Sequence, residues 1–189
     1  MPVTTLDPKT ALVVVDLQKG VVGMPAAHPV DQVVKNSAAL ADAFRAHGLP
    51  VVIVTVDGVA PGRTDQNRPA VEFPAEWLEL VPELNRQPGD HAVTKRTWGA
   101  FTGTDLDAHL KGEGVTQVVV VGVATSAGVE STARHAHELG YHVTLAVDAM
   151  TDMSREAHDH SVAQIFPKIG ETGTTEEIID LVTSGNGRS

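Results

Sequence analysis

Short, unbroken runs of β-branched apolar residues constrain the fold of this chain most strongly. The clearest are "ALVVVD" (residues 11–16), "PVVIVTVD" (50–57) and "QVVVVGV" (117–123), with weaker runs at 91–95 and 142–148. A strand with one wet face alternates apolar and polar residues, whereas a continuous apolar run is typical of a strand buried on both faces. The runs therefore predict a parallel sheet that is covered on both sides.

Helical patterns lie between these runs. Apolar residues recur at helical spacing from Val30 to Phe44, and Gly48 and Pro50 end that helix. Segments 126–140 and 154–166 are also predicted to be helical, and Thr174 with Glu177 forms a capping box for a last helix. Alternating strands and helices predict a three-layer α/β/α fold, and 189 residues suit one domain spanning 1–189. The final "SGNGRS" is expected to fray.

Polar residues stand where the predicted strands end, and in parallel sheets ligands bind beyond the carboxyl ends of the strands. These are Asp16, Asp57, Lys95, Asp148 and the segment 124–128. We expect Asp16 and Lys95 to converge from the ends of adjacent strands. A structural ion pair explains such a pair about as well as a catalytic one does.

Composition excludes several classes of protein. The net charge of −10 disfavours binding to nucleic acid or to an anionic membrane surface. No apolar run reaches the roughly 20 residues of a membrane span, and the first residues lack the apolar stretch of a signal peptide. The absence of cysteine excludes thiol catalysis, disulfides and thiolate metal sites, and it fits a cytoplasmic protein.

Three motifs carry a resemblance to a known family: "VVVDLQKG", "VTKRTWGAFTGTDL" and "GVATSAGVESTARHAHELGYHVTLAVDAMTD". Over residues 11–182 the chain resembles the isochorismatase-like hydrolase superfamily, which includes nicotinamidase-type and carbamoylsarcosine-type amidases. The resemblance implies a six-stranded parallel sheet of Rossmann-like topology. It also implies that Asp16 and Lys95 are catalytic, because the amidase members use an Asp, a Lys and a Cys. A non-proline cis peptide bond is implied at Val123–Ala124.

The cysteine position of the amidases holds Gly128 in this chain. The isochorismatases proper also lack that cysteine, often carry glycine there, and hydrolyse a vinyl ether without a covalent intermediate. Gly128 has no attacking atom, but its backbone N–H and that of Ala124 could hold developing negative charge. Ser126 is better explained as a helix N-cap, and Ser131 as a packing residue, than as replacement nucleophiles.

Metal and cofactor binding are not predicted. His135 and His137, like His158 and His160, are two residues apart on a helix and so do not share a face. We interpret the nine histidines as surface residues. The nicotinamidase relatives place an Asp-x-His metal motif after the second strand, and this chain lacks the histidine there.

The predicted partner is a small-molecule substrate. Candidate substrate-binding residues are Gln18, Trp98, Phe101, Ala124 and Thr125. For the two aromatic residues, core packing and a pocket wall are about equally good explanations.

The leading hypothesis is a vinyl-ether hydrolase that uses water. The alternatives are an amide or ester hydrolase in which Asp16 activates water, and a catalytically silent binding homologue. The family resemblance also implies a homo-oligomer, with the loop 58–74 as a candidate contact.

Overall fold

The valine-rich runs form the central sheet in a computed structural model, which describes residues 2–65 and 72–185. The strands are β1 (Thr10–Val15), β2 (Val51–Val56), β3 (His91–Lys95), β4 (Gln117–Val123), β5 (His142–Thr151) and β6 (Glu171–Gly173). The α-helices are α1 (Lys19–Val22), α2 (Val30–Ala46), α3 (Ala75–Leu78), α4 (Leu106–Gly112), α5 (Glu130–Glu138), α6 (Arg155–His160) and α7 (Thr175–Gly185).

The six strands lie in the order β3-β2-β1-β4-β5-β6, and every neighbouring pair is parallel. The predicted six-stranded parallel sheet is therefore confirmed. The order also corrects one expectation, because β2 lies between β1 and β3. Asp16 and Lys95 consequently do not follow adjacent strands.

Two apolar cores cover the two faces of the sheet. Ala11, Val13 and Val15 of β1 face one core, which includes residues of α4 and α5. Leu12 and Val14 point the other way, into a core that includes residues of α2 and α7. Because successive side chains of a strand alternate in direction, an all-apolar strand supplies both cores at once. The covered sheet confirms the three-layer arrangement.

Two predicted helix boundaries that rest on specific residues are confirmed. Gly48 follows α2 with φ of 66°, the left-handed conformation that favours glycine after a helix. At the start of α7, the Thr174 N–H donates to the Glu177 carboxylate at 2.8 Å, and the Glu177 N–H donates to the Thr174 hydroxyl at 3.2 Å. This reciprocal pair is the capping box.

Some segments depart from the predicted bounds or fall outside the described residues. The helix predicted over 154–166 is α6 followed by a π-helical stretch (Ser161–Ile165) and a 3₁₀ turn (Phe166–Lys168). The loop 58–74 includes residues 66–71, and the last four residues of "SGNGRS" are 186–189, all outside the described part of the chain. Within the described part, no helix combines the length and apolar character needed to cross a membrane.

Candidate active site

Asp16 lies directly after β1 in an unusual backbone conformation. Its φ is 55°, a left-handed value that aspartate tolerates better than most residues do. Its N–H still donates to the Val54 carbonyl at 3.0 Å, so the turn begins while the residue is held to β2. The side chain is buried, and Oδ1 has no hydrogen-bond partner among the described residues. One carboxylate oxygen is thus left available for chemistry.

Lys95 ends β3 and reaches Asp16 across the end of β2. Its Nζ donates to Asp16 Oδ2 at 2.7 Å and to the Thr97 carbonyl at 3.1 Å. Two strand spacings separate β3 from β1, about 10 Å, so only a long side chain could span the distance. The convergence of Asp16 and Lys95 is therefore confirmed, although they come from strands that are not neighbours.

The Asp16 carboxyl has a pKa raised to about 6 from its ordinary 3.8. Burial is the largest cause, since it penalises the charged form, and the Lys95 ammonium and its hydrogen bond partly oppose it. A carboxyl with a pKa near neutrality can both give and take a proton in the physiological range. Such a shift is common at catalytic sites.

Gly128 faces this carboxyl. A β-carbon built at Gly128 would lie 3.1 Å from Val15 Cγ1, 3.3 Å from Asp16 Oδ2 and 3.4 Å from the Val123 carbonyl oxygen. A side chain at this position would therefore start in contact with Asp16. By the resemblance, this is the position of the cysteine in the amidases. Whether the Gly128 N–H holds a developing charge stays a prediction.

Gly128 lies in a π-helical segment, Thr125–Val129, that runs directly into α5. The Val123–Ala124 bond that precedes the segment is cis, as predicted. Ser126 is not the N-cap, because that position is Ala124. Instead the Asp152 carboxylate accepts from the Ser126 N–H at 2.8 Å and from its hydroxyl at 2.7 Å. This pairing occupies the Ser126 hydroxyl and gives it no histidine partner.

Gln18, a candidate substrate-binding residue, makes its side-chain hydrogen bonds within the fold. Its side chain is fully buried, and its amide donates to the carbonyls of Val56 and Leu78 at 3.1 and 3.0 Å. Its Oε1 accepts from the Val56 N–H at 2.7 Å. Both amide hydrogens are thus used to tie the segment after β1 to the end of β2 and to the end of α3.

Two further candidate substrate-binding residues are buried in the structure. Phe101 is buried in the core, with its ring centroid 6.0 Å from that of Tyr141 and 5.4 Å from that of His135. Thr125 is fully buried, and its hydroxyl is 2.8 Å from Nδ1 of His158. For Phe101 these contacts favour core packing, one of the two explanations that the sequence left open, and the contact of Thr125 with substrate stays a prediction.

Trp98 and Ala124 are the other two candidate substrate-binding residues. The Trp98 side chain is 60% exposed in the segment after β3, so core packing does not explain it. Ala124 is half-buried and precedes the segment that carries Gly128. Their contact with substrate stays a prediction.

Sequence reasoning missed Asp152 and His158. Both are buried, and each anchors the segment that carries Gly128, Asp152 through Ser126 and His158 through Thr125. Asp152 could have been found as an acid close to the end of a strand. The interpretation of all histidines as surface residues is wrong for His158, whose short helix turns it inward.

Among the described residues, no three carboxylate or imidazole side chains gather where one metal ion could be held. Asp57, which follows β2, pairs instead with the Arg96 guanidinium at 3.0 Å.

A profile of the isochorismatase domain matches residues 10–177. The isochorismatase family protein YwoC of Bacillus subtilis is 46% identical over 92% of this chain and 94% of its own length. The ureidoacrylate amidohydrolase RutB of Agrobacterium fabrum is 29% identical over 87% of each chain.

Solved structures show the same fold. An isochorismatase family protein from Burkholderia thailandensis superposes with a TM-score of 0.91 at 41% identity, covering 95% of this chain and 98% of that one. N-carbamoylsarcosine amidase from Thermoplasma acidophilum superposes with a TM-score of 0.74 at 25% identity, covering 89% and 97%.

Proposed function

We propose that this chain, which belongs to the isochorismatase family, is a hydrolase of a small molecule in which water is the nucleophile. The observation that carries the proposal is the Asp16 carboxyl, which has a pKa of about 6, one oxygen bound to Lys95 and the other without a partner among the described residues. The position in contact with it holds Gly128, which has no attacking atom. An acid or base is therefore in place where a side-chain nucleophile is missing.

In the vinyl-ether reaction, protonated Asp16 gives its proton to a carbon of the substrate's double bond. The positive charge that forms on the carbon bearing the ether oxygen is captured by water, which loses a proton to the Asp16 carboxylate. The resulting hemiketal collapses to a ketone and an alcohol. Lys95 holds Oδ2, so the proton is transferred from Oδ1. Isochorismate is one candidate substrate.

An amide or ureido hydrolase is the second candidate. It is favoured by the similarity to ureidoacrylate amidohydrolase and to N-carbamoylsarcosine amidase. In that reaction ionised Asp16 removes a proton from water, which attacks the carbonyl carbon. A catalytically silent homologue that binds the same ligand is the third candidate.

We also propose that the protein is a homo-oligomer.

A panel of substrates tests the proposal. The native chain is incubated with isochorismate, ureidoacrylate and N-carbamoylsarcosine, and both products and intact protein mass are measured. We expect turnover of the vinyl ether with no covalent adduct on the protein. An acyl adduct on any side chain would overturn the water mechanism, turnover of the ureido compounds alone would select the second candidate, and binding without turnover the third.

The pH dependence separates the two hydrolytic mechanisms. Because the pKa of Asp16 is about 6, the carboxyl is protonated below that pH and ionised above it. If Asp16 is the acid, kcat/KM should fall about tenfold per pH unit as the pH rises above this value. If Asp16 is the base, kcat/KM should fall as the pH decreases below it. We expect the first profile, with circular dichroism at each pH to exclude unfolding.

A further inference from the structure

A second polar cluster lies behind the segment that carries Gly128. The Thr125 hydroxyl and Nδ1 of His158 are 2.8 Å apart, and both residues are buried. The ring of His158 packs against that of His28 at a centroid distance of 4.5 Å. The proposed reaction uses none of these three side chains, so their packing calls for a separate explanation.

Two polar neighbours hold the His28 ring in place. The Arg155 guanidinium lies 3.2 Å from Nε2 of His28. Nδ1 of His28 lies 3.1 Å from the Thr151 hydroxyl. His28 is thereby held against one side of the His158 ring.

We propose that His158 is a positioning residue that holds the Thr125 hydroxyl. It thereby fixes the segment that sets Gly128 against the Asp16 carboxyl. This role rests on the proposed function of Asp16. Thr125 is the first residue of this segment and Gly128 the fourth. Asp152 anchors the intervening Ser126 from the end of β5. Because Thr125 and Ser126 are each held by a buried side chain, the segment is fixed in one conformation.

The charges around His158 favour its neutral form. Burial is the largest cause that lowers the pKa of His158, and His28 and Arg155 lower it further, while Asp159 and Asp152 oppose them. No other titratable group faces it from the π-helical segment, where Thr125 and Ser126 are the polar residues. Glu130 of α5 is occupied by the Ser161 hydroxyl and by Arg134.

Protonation of His158 would weaken this anchor. A depressed folded-state pKa means that the stability contributed by neutral His158 is present above the unfolded value of about 6.5 and is lost as the pH falls through the folded value. Protonated His158 would carry hydrogen on both ring nitrogens, and its charge would be repelled by that of Arg155. We therefore expect the segment to loosen in acid.

Amide hydrogen exchange of residues 124–129 tests the positioning role without requiring a substrate. Thr125→Val and His158→Phe remove one partner each while preserving bulk, and each should lower the protection of this segment about tenfold. The double variant should be no worse than either single variant, because both remove the same bond. Thr125→Ser and His158→Asn retain a partner and should keep native protection.

His160→Asn is the matched control, since it changes an exposed histidine on the same helix. In acid, the native protein should lose protection in the segment while His158→Asn should not. Native protection in Thr125→Val would overturn the proposal, and so would equal losses in His158→Asn and His158→Phe. If His158→Phe does not fold, the comparison of Thr125→Val with Thr125→Ser decides alone.

A measurement of kcat and KM distinguishes a positioning role from a merely structural one. With a substrate that the native chain turns over, Thr125→Val should lower kcat while leaving KM unchanged. The reason is that the segment carrying Gly128 loses its alignment with the Asp16 carboxyl, while the substrate still binds. A rise in KM with unchanged kcat would contradict the proposal. If the native chain turned over no substrate, the proposed function would be refuted instead. The hydrogen-exchange measurements would still test whether His158 positions the segment.

Discussion

Replacing Asp16 by asparagine is expected to lower kcat/KM by about a thousandfold, within the range that general acid–base catalysis supplies. Asparagine preserves the shape of the side chain but cannot transfer the proton. Lys95→Ala should cost nearly as much, because it frees Oδ2 from its fixed orientation and makes the buried carboxyl a weaker acid as its pKa rises further. The double variant should be little worse than either single one, since groups that act as a unit are not additive.

Steady-state kinetics on the native chain and these three variants provide the measurement. The matched control is Lys111→Ala, which removes an ion pair of the same 2.7 Å length, to Asp107, that is exposed instead of buried. It should leave kcat/KM unchanged. Full activity in Asp16→Asn would remove Asp16 from the mechanism.

The same variants also affect stability, so the kinetics must be measured where each remains folded. Lys95 is 2% exposed, and Asp16→Asn leaves its ammonium without a counter-charge. Removing one partner of a buried ion pair typically costs about 3–5 kcal/mol of unfolding free energy. A thermal melt of each variant separates this loss from the loss of catalysis.

Local sequence patterns were sufficient where one residue type has one strong physical preference. Valine runs predicted β1, β2 and β4 because their burial on both faces leaves no polar alternation. Thr174 and Glu177 predicted their capping box because both bonds are local. Asp16 and Lys95 could be predicted because parallel strands end at one edge of the sheet.

The predictions failed where the outcome depends on distant contacts. Strand order is set by crossover connections, so the sequence pattern did not reveal that β2 separates Asp16 from Lys95. β6 has three residues, too few for a periodic signal, and only the family resemblance implied it. The partners of Gln18, on β2 and α3, and the partner of Phe101, Tyr141, are likewise remote in sequence, so the sequence pattern did not reveal these contacts.

Gly122→Ala is expected to lower the unfolding free energy by about 3 kcal/mol or more, or to prevent folding. Gly122 has φ of 117°, a conformation that other residues rarely adopt. An added β-carbon would lie 2.0 Å from the carbonyl oxygen of Val15 and 2.8 Å from its nitrogen. These are backbone atoms of β1, which cannot rotate aside as a side chain could, so β1 and β4 would have to separate next to Asp16.

Urea unfolding monitored by circular dichroism measures this loss, and two glycines separate its causes. Gly48 also has a positive φ, of 66°, but a β-carbon there would meet nothing within 4 Å, so Gly48→Ala should cost only the roughly 1–2 kcal/mol of the left-handed backbone. Gly112 has open space and no positive φ, and Gly112→Ala should be close to neutral. If Gly122→Ala unfolded at the same urea concentration as Gly48→Ala, the close approach of β4 to β1 would not be needed for the fold. A larger loss of unfolding free energy in Gly122→Ala alone would show that β1 and β4 can pair this closely only because Gly122 has no side chain.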